Sequence, residues 1–459
     1  MEIQDADCQP DKKELTPKSG FAYLIEKLQK KHEGLGTEWQ ELYTWYRQNP
    51  KWRKKIEQIV EACFYEKPKD GLTTRTAQRL YGTILENSVT RLEKFSACAY
   101  AHFLSYGLNL REREEYTFQA IDLGNIFHSA IEHFAKKLEA EGYTWTTLPE
   151  VRREELIEES VEESIVDYGN TILYSSARNE YIIKRLKRMM RRTVWALTKQ
   201  LEKGDFMPGG YEISFGGASG LSTSDIALDG HGRMRLRGKI DRVDICEDED
   251  NVYVKVIDYK TGAKAFDLGE LYYGLQLQLV LYLNTALELE SRKNHGKTVI
   301  PAGIFYYQMK DPIVDKEKDE EKLEKKILKE LRLDGVVNAR EEVVRHLDRE
   351  ISGNSLVVPI GRNKDRSLSK ASKTATQEEF ELISEYAKKQ MKQIGTRILE
   401  GETEVSPYEL GTMTGCSYCP YKAICGFEEK IPGYEYRRLQ KLKKDEALMK
   451  MRKEVSEWE

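Results

Sequence analysis

Three cysteines stand close together near the C-terminal end of the chain. Cys416, Cys419 and Cys425 fall within the stretch TGCSYCPYKAICGF at 414–427. Thiolates at such spacing hold a metal ion or an iron–sulfur cluster, and both kinds of site usually take four ligands. The sequence therefore predicts a fourth ligand elsewhere in the chain.

The other cysteines are the candidates for that fourth ligand. Cys8 lies in a polar N-terminal stretch, and Cys246 lies in a predicted hairpin turn on the wrong side of its strands. Cys63 has apolar, helix-like surroundings that are typical of a buried and inert thiol. Cys98 is left as the candidate, and spacing alone leaves a four-cysteine zinc site and an iron–sulfur cluster both open.

Two predicted strands flank the polar turn CEDEDN at 246–251 and carry a pair of aspartates. If the hairpin is symmetric about the middle of that turn, Asp241 lies opposite Asp258. The same register places Val243 opposite Val256, so that apolar residues meet on one face. The sequence therefore predicts two carboxylates whose Cβ atoms are about 5 Å apart.

Two carboxylates this close repel each other in a closed core unless a cation lies between them. Mg²⁺ prefers oxygen ligands of this kind. Lys260, two residues after Asp258, shares its face, and a lysine beside a metal-bound water can position or deprotonate the nucleophile. The alternative is a surface hairpin whose charged side chains face water, and the pattern alone does not decide between the two.

These residues, in GKIDRVD, DYK and QLVLY, resemble the PD-(D/E)XK nuclease superfamily in its RecB-like branch. The resemblance implies that Asp241 and Asp258 bind Mg²⁺ or Mn²⁺ and that Lys260 completes the catalytic motif. It also implies that Gln278 and Tyr282, on one face of the following helix, contact DNA and orient the lysine.

The same resemblance implies a further metal ligand in GNIFHSAIEHF, namely His128. Without the resemblance, a helical histidine is more often packed or surface-exposed than a ligand. His133 lies on a different helix face, so we expect a structural role for it. Glu212, in YEISFG, is a further acidic residue, but a single strand glutamate does not by itself predict a role.

A narrower group of proteins within this superfamily is indicated by the cysteines and by the stretch SVTRLEKFSACAYAHFLSYGL at 88–108. The chain resembles the C-terminal nuclease region of the B subunit of AddAB-type ATP-dependent helicase–nucleases. In that family, one cysteine before the nuclease core and three after it hold a [4Fe–4S] cluster. The resemblance therefore implies such a cluster on Cys98, Cys416, Cys419 and Cys425, DNA as the substrate, and an AddA-type helicase–nuclease subunit as partner.

The hydrophobic periodicity predicts the elements that must position these residues. Helical spacing dominates up to about residue 203, and strands follow at 211–310. A single strand is predicted at 232–246 and a single helix at 269–290. With the resemblance, this order predicts an α/β fold with a restriction-endonuclease-like core, in which helices flank a mixed sheet.

Three regions are expected along the chain. A helical lead-in at 1–80 is a candidate remnant of the helicase-like half that precedes the nuclease region in the longer family members. The nuclease domain, with its iron–sulfur staple, is expected at 81–435. The remaining segment at 436–459 is rich in charge and is predicted to be a C-terminal tail.

Composition sets broader limits. The 73 Lys and Arg nearly balance the 77 Asp and Glu, so a nucleic-acid partner requires a local basic surface. KRLKRMMRR at 184–192 is the most basic segment, although a solvated helix face is its commoner interpretation. The chain has no run of about 18 apolar residues and no signal-peptide core, so we expect a cytoplasmic protein without a membrane partner.

The chain also lacks a phosphate-binding loop. HGKT at 295–298 resembles the end of one, but Ser291 stands where the loop needs a glycine.

The activity that the family resemblance implies is a Mg²⁺-dependent DNA exonuclease that degrades the 5′-terminated strand. Two alternatives remain, a stand-alone RecB-like exonuclease of the CRISPR-adaptation kind and a DNA-binding scaffold without catalysis.

Overall fold

The computed structural model of the chain describes residues 16–29, 37–65, 67, 71–113, 118–168, 173–174, 176–216, 221–230 and 232–457. The chain divides into two compact units, Met1–Lys69 with Gly426–Tyr436, and Asp70–Cys425 with Arg437–Glu459. The beginning of the predicted lead-in, residues 1–15, lies outside the described residues.

The described part of the first unit is largely helical. Its helices are α1 Pro17–Gln29, α2 Thr37–Gln48 and α3 Arg53–Cys63. They bury a small apolar core that contains Leu24, Tyr46 and Ile56. The hydroxyl of Tyr46 donates a hydrogen bond to Pro17 O at 2.6 Å, which ties α2 to the start of α1. The unit's first segment ends at Lys69, earlier than the expected boundary at residue 80.

The second unit combines helices and strands. Their bounds are α4 Thr74–Tyr81, β1 Ile84–Asn87, α5 Val89–Ala97, α6 Ala99–His102, a π-helical turn Phe103–Gly107, α7 Ala120–Ala140, α8 Glu150–Asp167, α9 Ala177–Leu201, β2 Met207–Phe215, β3 Asp225–Leu228, β4 Gly232–Leu236, β5 Gly238–Glu247, β6 Asn251–Lys260, α10 Leu268–Tyr272, α11 Gln278–Lys293, β7 Thr298–Gln308, α12 Glu320–Glu330, β8 Asp334–Asn338, α13 Glu341–Leu347, β9 Thr374–Ala375, α14 Gln377–Glu400, β10 Tyr408–Leu410, β11 Met413–Thr414, α15 Lys422–Cys425, β12 Arg437–Arg438 and α16 Lys444–Ser456. The main sheet has the order β2-β5-β6-β7-β8-β9. It is mixed, as predicted, because β6 is parallel to β7 but antiparallel to β5.

Helices cover both faces of the main sheet. On one face, Val254 and Val256 join a core with α5, α11, α14 and α16. On the other face, Tyr253 and Ile257 join a core with α7, α8 and α9, because successive strand residues point to opposite sides. The predicted α/β fold with a helix-flanked sheet is therefore confirmed. None of the helices in the described parts of the chain has the length and apolarity that a membrane crossing requires.

The central hairpin has the register that the sequence predicts. Its antiparallel pairs include Val243 with Val256, Ile245 with Val254 and, at the open end, Arg242 with Ile257. Asp241 and Asp258 come directly after that last pair, on neighbouring strands. The register follows from the sequence because a short turn and the shared apolar face leave one alignment.

Two predicted elements are each interrupted in the structure. The strand predicted at 232–246 breaks at Arg237, so that β4 joins a separate sheet of order β1-β4-β3 and β5 joins the main sheet. The helix predicted at 269–290 breaks at 273–277, so that α11 begins at Gln278. Periodicity misses both breaks because the apolar pattern continues on either side of them.

The segment predicted as a charged tail contributes to the main core. α16 buries Ala447, Leu448 and Met451 in the same core as α14. The hydroxyl of Tyr272 donates a hydrogen bond to Glu454 at 2.6 Å. Apolar residues recur at helical spacing within this charged sequence, so it forms an amphipathic helix that packs within the second unit.

Candidate active site

Three carboxylates line up across neighbouring strands of the main sheet. The pairs between β2 and β5 on either side of Glu212 are Tyr211 with Arg242 and Ile213 with Ile240. Glu212 therefore falls opposite Asp241, and Asp241 lies beside Asp258 of β6. Asp241 is 8% exposed and Asp258 is 1% exposed, so the row contains buried acidic groups.

Glu212 has an unusual backbone conformation within this row. Its φ is 48°, in the left-handed region, which costs a non-glycine residue about 1–3 kcal/mol and is frequent at functional sites. Lys239 Nζ lies 2.8 Å from Glu212 Oε2. The sequence alone does not predict a role for Glu212, because a long connection separates β2 from β5 and residue spacing does not predict that they pair. The one sequence feature that marks Glu212 is a charged residue inside a predicted strand.

His128 reaches this row from α7. Its Nδ1 lies 3.4 Å from Asp241 Oδ2 and 3.5 Å from Glu212 Oε1. Burial lowers the pKa of His128, but the hydrogen bond to Glu212 and the nearby carboxylate charges outweigh burial and raise it overall. His133 points elsewhere and contacts Glu163 and Asp167 of α8. The structure therefore separates the two histidines as the sequence suggested.

The donor atoms of His128, Glu212 and Asp241 fit a divalent cation. They lie within 4.8 Å of one another, and the described residues contain no other such group of three. Carboxylate oxygens with an imidazole suit Mg²⁺ or Mn²⁺. Burial, followed by the charge of Asp258, raises the pKa of Asp241 to about 7. A cation among these groups would favour their ionised forms.

Asp258 is connected to a lysine and to the following helix. Lys260 Nζ lies 2.6 Å from Asp258 Oδ2 and donates a hydrogen bond to Gln278 Oε1 at 3.1 Å. Gln278 Nε2 donates in turn to Tyr282 Oη at 2.9 Å. Burial raises the pKa of Asp258, and the lysine opposes that shift. The structure thus brings all five predicted catalytic residues, Asp241 included, into one site.

Comparison with known families agrees with this geometry. The profile of the PD-(D/E)XK nuclease superfamily matches residues 86–426, which contain the whole site. The chain belongs to this superfamily. A second profile, the fifth domain of the ATP-dependent helicase/deoxyribonuclease AddB, matches residues 15–62.

The chain is also similar to curated relatives over most of its length. It is 36% identical over 443 residues to the ATP-dependent helicase/deoxyribonuclease B subunit of Alkaliphilus metalliredigens, which covers 96% of this chain and 38% of the relative. It is 40% identical over 466 residues to the protein of that name from Lachnoclostridium phytofermentans, which covers 99% of this chain and 39% of the relative. The resemblance to such B subunits is confirmed, and the chain spans about two fifths of their length.

The structure brings the predicted cysteine ligands together at the end of α5. Cys98 follows that helix and is buried against Tyr421, and Cys419 packs against the same cluster. Burial raises the pKa of the Cys419 thiol, and Cys98 and Cys425 are near enough to add to the shift. The N–H of Cys419 donates to Cys416 O at 3.3 Å. Two segments that are distant in sequence therefore meet at the predicted ligands.

Neither of the other two described cysteines belongs to the cluster around Cys98 and Tyr421. Cys63 and Cys246 belong to other cores, and Cys8 lies outside the described residues.

The basic segment at 184–192 is largely neutralised by acidic side chains of the same chain. Its ion pairs join Lys187 to Glu158 and Glu162, Arg191 to Glu154 and Glu158, and Arg188 to Asp311. Most of these acids belong to α8, which packs beside α9. The segment is therefore better interpreted as a paired helix face than as a free surface for DNA.

Proposed function

We propose that this chain hydrolyses phosphodiester bonds of DNA as an exonuclease that uses Mg²⁺ or Mn²⁺. The main support is the convergence of His128, Glu212 and Asp241 within 4.8 Å, beside the ion pair of Asp258 and Lys260. Membership of the PD-(D/E)XK nuclease superfamily supports the same class of reaction.

Four side chains have roles around the cation in this proposal. His128, Asp241 and Asp258 hold it, and Glu212 joins them from the neighbouring strand. When bound, the cation polarises the phosphate and lowers the pKa of a coordinated water. The residues themselves exclude bulk water from the carboxylates and hold them in a fixed row, because the strands that carry them are hydrogen-bonded to each other.

Lys260 acts next to this row. Its ammonium lies beside Asp258, where it can orient the attacking water or balance the negative charge that develops on the phosphate. Gln278 accepts a hydrogen bond from Lys260 and so limits where the ammonium can move. Tyr282 fixes the amide of Gln278 by accepting from its Nε2. Both helix residues are also candidates for contact with DNA.

The cysteines have a structural role in the proposal. Cys98, Cys416, Cys419 and Cys425 hold a [4Fe–4S] cluster that staples the end of α5 to the segment at 416–425. The burial of Cys98 and its proximity to Cys419 support this arrangement. The cluster stabilises the fold and takes no part in the cleavage step.

The relatives suggest a larger context. Their name, which describes the B subunit of a helicase/deoxyribonuclease, supports the proposal that this chain is the nuclease region of such a protein. It then degrades the 5′-terminated strand in the cytoplasm, beside an AddA-type subunit that supplies the motor. The same name favours this assignment over a stand-alone CRISPR-adaptation exonuclease. The intact contacts of Lys260 favour catalysis over an inactive scaffold.

End-labelled DNA tests the proposal. Anaerobically purified protein should release short products with Mg²⁺ or Mn²⁺, without ATP, and 5′ and 3′ labels report the polarity. Asp258→Asn should lower the rate at least about 100-fold. Asp250→Asn makes the same change in the exposed turn of the same hairpin and should keep the parental rate. Cleavage that survives EDTA, or an Asp258→Asn variant as fast as the parent, contradicts the proposal.

A further inference from the structure

Glu93 makes a long-range contact that the cleavage chemistry does not by itself explain. It lies on α5, half-buried, four positions after the helix begins. Its Oε1 accepts hydrogen bonds from Leu277 N at 2.8 Å and from Gln278 N at 3.1 Å. These two N–H groups stand at the beginning of α11, 184 and 185 positions further along the chain.

The start of α11 needs such a partner. The first N–H groups of a helix have no acceptor inside the helix, and a polar side chain at the N-cap usually satisfies one of them. Here the N-cap is Leu277, which has no polar side chain. Glu93 supplies the missing acceptor from another helix, and a carboxylate also suits the positive end of the helix dipole.

The break before α11 makes this contact important for the position of Gln278. Residues 273–277 form an irregular turn between α10 and α11. Gln276 fixes the other side of that turn, since its amide contacts Asp267 N and Ala265 O. The first residue of the helix proper is Gln278, whose own N–H is bound by Glu93. Glu93 therefore fixes the backbone of the residue whose side chain holds Lys260.

We propose that Glu93 is a positioning residue for the cleavage reaction, acting through Gln278 to place the ammonium of Lys260. This inference rests on the function proposed above. Two hydrogen-bonded steps connect the groups, from Glu93 to Gln278 N and from Gln278 Oε1 to Lys260 Nζ at 3.1 Å. A displaced catalytic group can cost about 100-fold in rate when it moves by about 1 Å.

The charges around Glu93 agree with this role. Burial raises the pKa of Glu93, whereas Lys264, the two backbone N–H groups and Lys260 act in the opposite direction. Lys264 and Lys260 both place their ammonium groups over the ring of Tyr306, at 5.3 and 5.7 Å from its centroid. The carboxylate of Glu93 is thus close enough to both ammonium groups to interact with them electrostatically.

The same helix also carries a predicted cluster ligand. α5 ends at Ala97, and Cys98 follows directly. Glu93 lies on the helix and Cys98 directly after it, and they contact the start of α11 and the segment around Cys419, respectively. α5 therefore lies between the proposed cluster ligands and the helix that carries Gln278.

Variants of Glu93 test the inference in the DNA-cleavage assay. Glu93→Ala removes the acceptor and should lower kcat by about 10- to 100-fold, with KM for DNA within about threefold of the parent. Glu93→Gln keeps an oxygen that can accept from both N–H groups and should restore kcat to within about threefold. Leu92→Ala, at the neighbouring buried position, is the control, since it should lower the thermal midpoint yet keep kcat.

A double-variant comparison separates positioning from general damage. Because Glu93 acts through Gln278, Glu93→Ala combined with Gln278→Ala should lose no more activity than Gln278→Ala alone. If Glu93→Ala does not fold, Glu93→Asp replaces it, since its shorter carboxylate cannot reach both N–H groups. A parental kcat in the folded variant, a Glu93→Gln variant as slow as alanine, or additive losses would each overturn the inference.

Lys260→Met distinguishes a failure of this inference from a failure of the proposed function. If Lys260→Met cleaves DNA at the parental rate, the catalytic assignment itself is wrong. If Lys260→Met is inactive while Glu93→Ala retains the parental kcat, the assignment stands and only the role of Glu93 is rejected.

Discussion

The backbone N–H of Tyr259 donates a hydrogen bond to Asp241 Oδ2 at 2.7 Å, across the central hairpin. This bond holds the Asp241 carboxylate in place beside Asp258. It does not remove the repulsion between the two acids, because burial and the charge of Asp258 still raise the pKa of Asp241 to about 7. Without a bound cation, the two buried acids therefore lower the stability of the fold when both are ionised.

Replacing one of the two acids should separate stability from catalysis. Asp241→Asn removes a proposed cation ligand and should lower Mg²⁺-dependent cleavage at least about 100-fold. It also relieves the repulsion with Asp258, so the metal-free variant should melt at the parental temperature or slightly above it. Nuclease rates and melting temperatures of Asp241→Asn, Asp250→Asn and the parent provide the check. Parental cleavage by Asp241→Asn would show that the active site is wrongly assigned.

The raised pKa values predict a pH dependence of the metal-free protein. The pKa of Asp241 is about 7 in the folded state, well above the ordinary aspartate value of 3.8 that applies when the chain is unfolded. Its contribution to stability is therefore complete below about pH 4 and is lost as the pH rises through 7. Most of this loss falls between about pH 4 and pH 7, because the folded chain binds more protons than the unfolded chain in that range. The raised pKa of His128 acts in the same direction.

Denaturant unfolding in EDTA at several pH values measures this effect. The parent should lose stability between pH 5 and pH 8 more steeply than Asp241→Asn does. Mg²⁺ should restore more stability at pH 8 than at pH 5, because binding requires the ionised carboxylate. Equal pH slopes for the parent and Asp241→Asn would contradict the prediction.

Glu212 should contribute to cation affinity although residue spacing assigned it no role. Glu212→Gln removes a charge next to His128, so the Mg²⁺ concentration for half-maximal cleavage should rise about 10- to 100-fold. Glu132→Gln is the matched control, because Glu132 lies on α7 near the site but pairs with Lys136. Titrations of Mg²⁺ with all three proteins test this. If both variants raise the Mg²⁺ concentration for half-maximal cleavage equally, a general charge effect accounts for the change and Glu212 has no specific role.

Cys98 should determine both iron content and stability. Cys98→Ser should lose or loosen the cluster, and the parent should carry about four irons per chain. Cys98 and Cys416 are 318 positions apart, and the disulfide loop-closure relation gives an upper figure of about 5–6 kcal/mol for such a link. The loss should be smaller, because three ligands remain and the unfolded chain keeps some structure.

Cys246→Ser provides the comparison for Cys98→Ser. Cys246 is 6% exposed and Cys98 is 7% exposed, so both substitutions change a buried thiol. Iron, sulfide and melting temperature are measured after anaerobic purification, and Cys246→Ser should keep the parental iron. Full iron in Cys98→Ser would place the fourth ligand elsewhere, with Cys63 as the next candidate. Zinc at one ion per chain without iron would reject the cluster.

The sequence by itself determined the parts of the site that are close along the chain. The register that aligns Asp241 with Asp258 follows from a short polar turn and from valines that must share one face. Lys260 follows Asp258 on the same strand face. The Gln278 and Tyr282 pair follows from helical spacing. Local geometry leaves few alternatives in each case, so residue types and spacing were sufficient.

Only the tertiary structure decided which distant residues complete the site. Glu212 faces Asp241 because β2 pairs with β5, and no short turn fixes that pairing. Glu93 meets Gln278 across 185 positions because α5 and α11 pack in the same core. Contacts of this kind depend on how helices and strands pack, which the spacing of residues within one element does not encode.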